Sequence, residues 1–164
     1  MASGLSQETK EKESTKVGSF SSKSGTLIER QFLDVGKVKG LEVKVIKLKD
    51  LISNASLSAL RFEYSTSYSG GTKINQLDGD EVEGLVKSMQ KLVNDVFISS
   101  VDVYTEITFQ SKSGFEAGAY FDTSKKVWKP YLKIEKYDSK SNVFLELEDF
   151  SKLLELIKQA QTIL

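Results

Sequence analysis

The chain has no cysteine and no histidine among its 164 residues. The first absence excludes disulfides, thiolate metal sites and thiol nucleophiles, and the second removes the commonest metal ligand and general base. Most of the usual equipment of an enzyme is missing, so no catalytic residue, metal or cofactor is expected. Excess charge of either sign is also lacking, because Lys plus Arg and Asp plus Glu each total 23. Affinity for a polyanion would have to come from a local patch. No apolar run approaches the roughly 20 residues that cross a bilayer, and the N-terminus lacks the apolar core of a signal peptide. The expected location is intracellular, in the cytoplasm or in a particle assembled inside a cell, with no membrane partner.

What is present suffices for a core, since 39% of the residues are hydrophobic. Residues 1–25 are rich in Ser, Lys, Glu and Gly, with Leu5, Val17 and Phe20 as isolated apolar anchors. They are expected to form a disordered polar arm that adds nothing to the core and is available to order on a partner. Residues 26–164 read as a single α+β domain. Leu27 to Val35 and Leu41 to Leu48 are β-prone and flank a glycine-containing turn, and Ala59 to Thr66 alternates Leu60, Phe62 and Tyr64 against Arg61 and Glu63. Gly70 and Gly71 break that strand, and Thr72 to Leu77 is a short fourth one. Asp78 followed by Glu81 has the form of a capping box, which predicts a helix from Gly79 to Asn94.

The same order then recurs. Val101 to Gln110 and Phe115 to Phe121 alternate as a hairpin around Gly114, and Val127 to Tyr137 carries the only Trp and the only Pro. Because proline cannot donate to a ladder, that strand is expected to begin at an edge or on a bulge. Trp128 alternates with the apolar set and is expected in the core. Val143 to Leu147 is a fourth strand, followed by a helix whose Phe150, Leu153, Leu154 and Ile157 lie on one face. Leu77, Val82, Leu85, Val86 and Met89 correspond to Leu147, Phe150, Leu153, Leu154 and Ile157 after a two-residue gap. The expectation is a tandem ββββα repeat, residues 26–96 and 100–164. Its two antiparallel sheets pack together and are covered by two amphipathic helices, since neither sheet can bury its apolar face alone.

This duplicated ββββα order resembles the fold of the Whirly proteins, the transcriptional cofactor PC4 and the Pur-type proteins. The stretch VFLELEDFSKLLELI, from Val143 to Ile157, is similar to the strand-to-helix segment that ends Pur-type repeats. The resemblance implies binding of single-stranded DNA or RNA on the sheets. In this chain the polar face of the second sheet would show Tyr104, Tyr120, Lys129, Tyr131, Lys133 and Tyr137. Bases stack on aromatic rings while lysines track phosphates, a mix that suits sequence-tolerant single-strand binding. Against that, tyrosine is common on half-exposed sheets, and Glu106, Glu116 and Glu135 are expected on the same face. The alternative is a structural or assembly subunit of a virion or multi-protein complex, binding protein through exposed strands and the arm. A homo-oligomer is compatible with either.

Three further motifs have structural explanations. Asp78, Asp80 and Glu81 lack the spacing and final glutamate of an EF-hand and read as a helix cap. Gly70-Gly71-Thr72-Lys73 precedes a strand instead of a helix, so it reads as a turn and not as a phosphate-binding loop. Glu106 and Glu116 could face each other across a hairpin, but such pairs arise readily among 23 acidic residues.

Overall fold

A computed structural model describes residues 14–66 and 71–164. After the short helix α1 (Lys16–Ser21) come β1 (Ile28–Val38), β2 (Leu41–Asp50), β3 (Ser56–Ser65), β4 (Thr72–Asp78) and helix α2 (Gly79–Lys91). The second unit has β5 (Glu106–Gln110), β6 (Glu116–Asp122), β7 (Val127–Lys133), β8 (Asn142–Phe144) and helix α3 (Leu147–Gln161). Each set of four strands forms one antiparallel sheet in sequence order. The architecture is thus α+β, a tandem ββββα arrangement.

Both helices bury the face that their apolar spacing defines. Val82, Leu85, Val86 and Met89 of α2, and Phe150, Leu153, Leu154 and Ile157 of α3, join one core with Leu41, Val43, Val45, Leu60 and Phe62 of sheet 1 and Ala117, Leu132 and Val143 of sheet 2. Each helix touches strands of both sheets and the other helix. The sheets themselves meet where Phe62 stacks on Phe115, with ring centroids 4.5 Å apart. Asn75 Nδ2 closes the seam by donating to the Ile134 carbonyl at 2.8 Å.

Several boundaries differ from the sequence reading, each for a visible reason. Helix α2 passes into a π-helical turn, Leu92–Val96, and its continuation packs Phe97 edge-on against Phe150 at 5.2 Å. β5 starts at Glu106, because Val101 turns into the Trp128 cluster. Leu147 is no strand residue: Glu146 N–H donates to Asp149 Oδ2, so the helix starts there and leaves Leu147 exposed. The buried residue matching Leu77 is Leu145. With that correction no gap is needed, since the same spacing relates Asp78 to Glu146, Glu81 to Asp149 and Val82 to Phe150.

The N-terminal arm also differs. Residues 1–13 lie outside the described residues, as do 67–70, which include Gly70 of the expected turn. Residues 16–21, however, form a helix instead of a disordered tail. Lys16 N–H and Val17 N–H each donate to the Asp78 carboxylate at 2.8 Å, so Asp78 joins the starts of two helices. Val17 is 1% exposed and packs with Phe20 over Ile46, Leu48 and Ala59, on the sheet 1 face turned away from the main core.

Candidate nucleic-acid interface

The register of sheet 2 arranges its outward side chains in cross-strand rows, three of them below an Asp122–Val127 pair at the end of the β6–β7 hairpin. Glu106, Tyr120 and Lys129 make the first, Thr108, Gly118, Tyr131 and Phe144 the second, and Gln110, Glu116, Lys133 and Asn142 the third. The middle row depends on Gly118. A Cβ there would sit 2.2 Å from the Ile107 carbonyl oxygen, so no side chain fits. The Tyr131 hydroxyl consequently reaches across the gap to hydrogen-bond Thr108 Oγ1 at 3.0 Å and donates to Glu116 Oε1 at 3.3 Å.

Four aromatic rings frame the face. Tyr104 lies just before β5, its ring centroid 6.3 Å from that of Tyr120, and both Tyr104 and Phe144 are more than half exposed. Tyr104, Tyr120, Tyr131 and Phe144 line a hollow of about 280 Å³ together with Lys133 and the two glutamates. Tyr120 and Phe144 continue into a neighbouring hollow of about 420 Å³ beside Lys129. Asn142 also lines the first hollow, and its Oδ1 is buried without a hydrogen-bond partner among the described residues.

Tyr104 and Tyr131 are neutral donors at physiological pH. The hydrogen bond from Tyr104 to Glu106 pushes its hydroxyl up to about 12. Burial raises Tyr131, with the charge of Glu116 acting in the same direction and the Thr108 contact against it. The glutamates are engaged as acceptors, Glu106 by Tyr104 and Glu116 by Gln110 and Tyr131. Lys129 and Lys133 make no ion pair among the described residues.

Of the six residues expected here, the structure brings together Tyr104, Tyr120, Lys129, Tyr131 and Lys133. Tyr137 does not join them. β7 ends at Lys133, and Tyr137 sits in the following turn with φ of +62°, 82% exposed, its ring beneath the Lys136 ammonium. Glu135 is off the face for the same reason, accepting instead from Ile74 N–H. Trp128 is core, as expected, 5% exposed with Nε1 donating to the Ser99 carbonyl. Sequence reasoning missed Thr108, Gly118, Asn142 and Phe144. Phe144 had a signal, since alternation between buried Val143 and Leu145 turns it outward.

The equivalent face of sheet 1 is closed. α1 covers one end, and at the other Glu63 accepts from Arg61 and pairs with Lys44 at 3.1 Å, while Arg61 also donates to Gln76. The Asp78, Asp80 and Glu81 cluster is likewise occupied, by α1 amides, Lys16 and the α2 cap. Among the described residues no helix is long and apolar enough to cross a membrane. No protein-family model, curated protein or solved structure matches the chain with significance.

Proposed function

We propose that the chain is a non-catalytic, intracellular single-strand nucleic-acid-binding protein of the Whirly, PC4 and Pur-type kind, and that it binds on the outer face of sheet 2. The observation that carries this reading is the open aromatic row, Tyr104, Tyr120, Tyr131 and Phe144, flanked by Lys129 and Lys133, neither of which makes an ion pair among the described residues. Each stacked base contributes about 1 to 3 kcal/mol, and stacking does not depend on base identity. Two lysines meet few phosphates, so stacking dominates and salt sensitivity is shallow, with a slope of roughly 1.4 in log affinity against log salt.

One observation favours the alternative, an assembly subunit that binds protein. Glu106, Glu116 and Asp122 share the face, so two lysines do not make it basic. Fluorescence anisotropy at low salt separates the readings, using labelled oligothymidine, its RNA counterpart and a duplex of the same length. Single strands are expected to bind, with the duplex at least about tenfold weaker, because paired bases cannot splay onto the rings. Equal binding of duplex, or none of either, would overturn the proposal in favour of the assembly reading.

A further inference from the structure

Sheet 1 has two edges, and the protein treats them differently. The β4 edge is closed by the second unit, through Ile74 N–H donating to Glu135 and Asn75 donating to the Ile134 carbonyl. The β1 edge has no strand beside it among the described residues, although β1 is 11 residues long. Leu51 N–H donates to the Leu27 carbonyl at 2.9 Å, and hydrogen-bonding direction alternates along an antiparallel ladder. The N–H and C=O groups of Ile28, Arg30, Phe32 and Asp34 therefore point away from β2. A long edge with free backbone groups is a template for another strand, and here Phe32 is 47% and Leu33 37% exposed on its two faces.

We infer that β1 pairs antiparallel with β1 of a second copy of this chain, about a two-fold axis at Phe32. That axis sets Arg30 of each copy opposite Asp34 of the other and brings the two Phe32 rings together. Other axes along the strand do worse. One at Arg30 opposes arginine to arginine, and one at Asp34 opposes aspartate to aspartate. One at Gln31 sets Arg30 against Phe32 and Asp34 against Ile28, and one at Leu33 sets Asp34 against Phe32. Opposite charges facing across strands stabilise the pair and like charges destabilise it, so charge selects the Phe32 register.

The backbone limits the pairing to a dimer. The register of β1 on β2 shifts between Asp34 and Gly36, and such a bulge ends regular pairing. Two-fold pairing uses the same edge on both copies and leaves none for a third. This inference stands apart from the nucleic-acid reading, because it concerns the other sheet and needs no ligand.

Sedimentation velocity of the full chain over a wide concentration series tests it. The parent is expected to dimerise by mass action. Arg30→Asp and Asp34→Arg should each weaken the dimer by about tenfold or more, and the double exchange should restore it. Arg30 also donates to the Ser21 carbonyl at 2.7 Å, and Asp34 pairs with Lys44 of its own copy at 3.8 Å, so a variant without either complication is needed. Phe32→Pro removes an N–H that points away from β2; it should abolish the dimer while circular dichroism stays unchanged. Amide exchange at Arg30, Phe32 and Asp34 should slow as concentration rises. A monomer at every concentration, a dimer indifferent to both single exchanges, or a double exchange that fails to restore it would overturn the inference.

Discussion

Tyr131 and Lys133 stand two residues apart on one face of β7, yet they do different physical work there. The Tyr131 ring crosses Gly118 and offers a π-surface, whereas Lys133 offers a charge opposite Glu116. Tyr131→Ala should weaken single-strand binding by about 1 to 3 kcal/mol with the salt slope unchanged. Lys133→Ala should weaken all sequences alike and flatten that slope by roughly 0.7. Anisotropy titrations at several salt concentrations read both quantities. A second residue-scale prediction concerns Asp50, which is 4% exposed. The Thr26 hydroxyl above all, then the Ser53 and Ile52 amides and the nearby Lys23, hold its carboxyl at about 2 against the opposing effect of burial. Its unfolded value is about 3.9, so the charged form favours the folded state. The stability it contributes is complete above pH ~4 and lost as pH falls towards ~2. Asp50→Asn should therefore melt lower than the parent at pH 7, and urea titrations should show the difference shrinking across that acid window.

At the scale of elements, what the sequence made legible was periodic structure with many apolar residues. α2 places four buried residues and α3 five at helical spacing, and the central strands alternate clearly enough to assign both faces. Four of the six expected site residues, Tyr120, Lys129, Tyr131 and Lys133, share one face for that reason, and Tyr104 joins them from just before β5. Tyr137 was misplaced because alternation carries no information about where a strand stops; the Asp138 turn decides that, its side chain accepting from Lys140 N–H. α1 was illegible for another reason. A helix of six residues with two apolar side chains has no period to read, and it folds only because Asp78, distant in sequence, accepts its first amides and sheet 1 offers an apolar seat. Val17→Ala should accordingly destabilise the protein by about 1 to 3 kcal/mol, measured by urea denaturation. A change within error would mean that α1 rests on the sheet without contributing to the fold.

For the whole molecule, the two ββββα units allocate their surfaces differently. Both units supply one apolar face to the shared core. The outer face of sheet 1 is filled by α1 and a charge network, while that of sheet 2 is open and aromatic. The central claim is that this open face takes a single strand. Backbone amide spectra of the full chain, recorded while oligothymidine is added, test it directly. Shifts should concentrate on Thr108, Gly118, Tyr120, Tyr131, Lys133 and Phe144 and leave the α1-covered strands of sheet 1 unmoved. A spectrum that does not change, or changes centred on sheet 1, would contradict the claim.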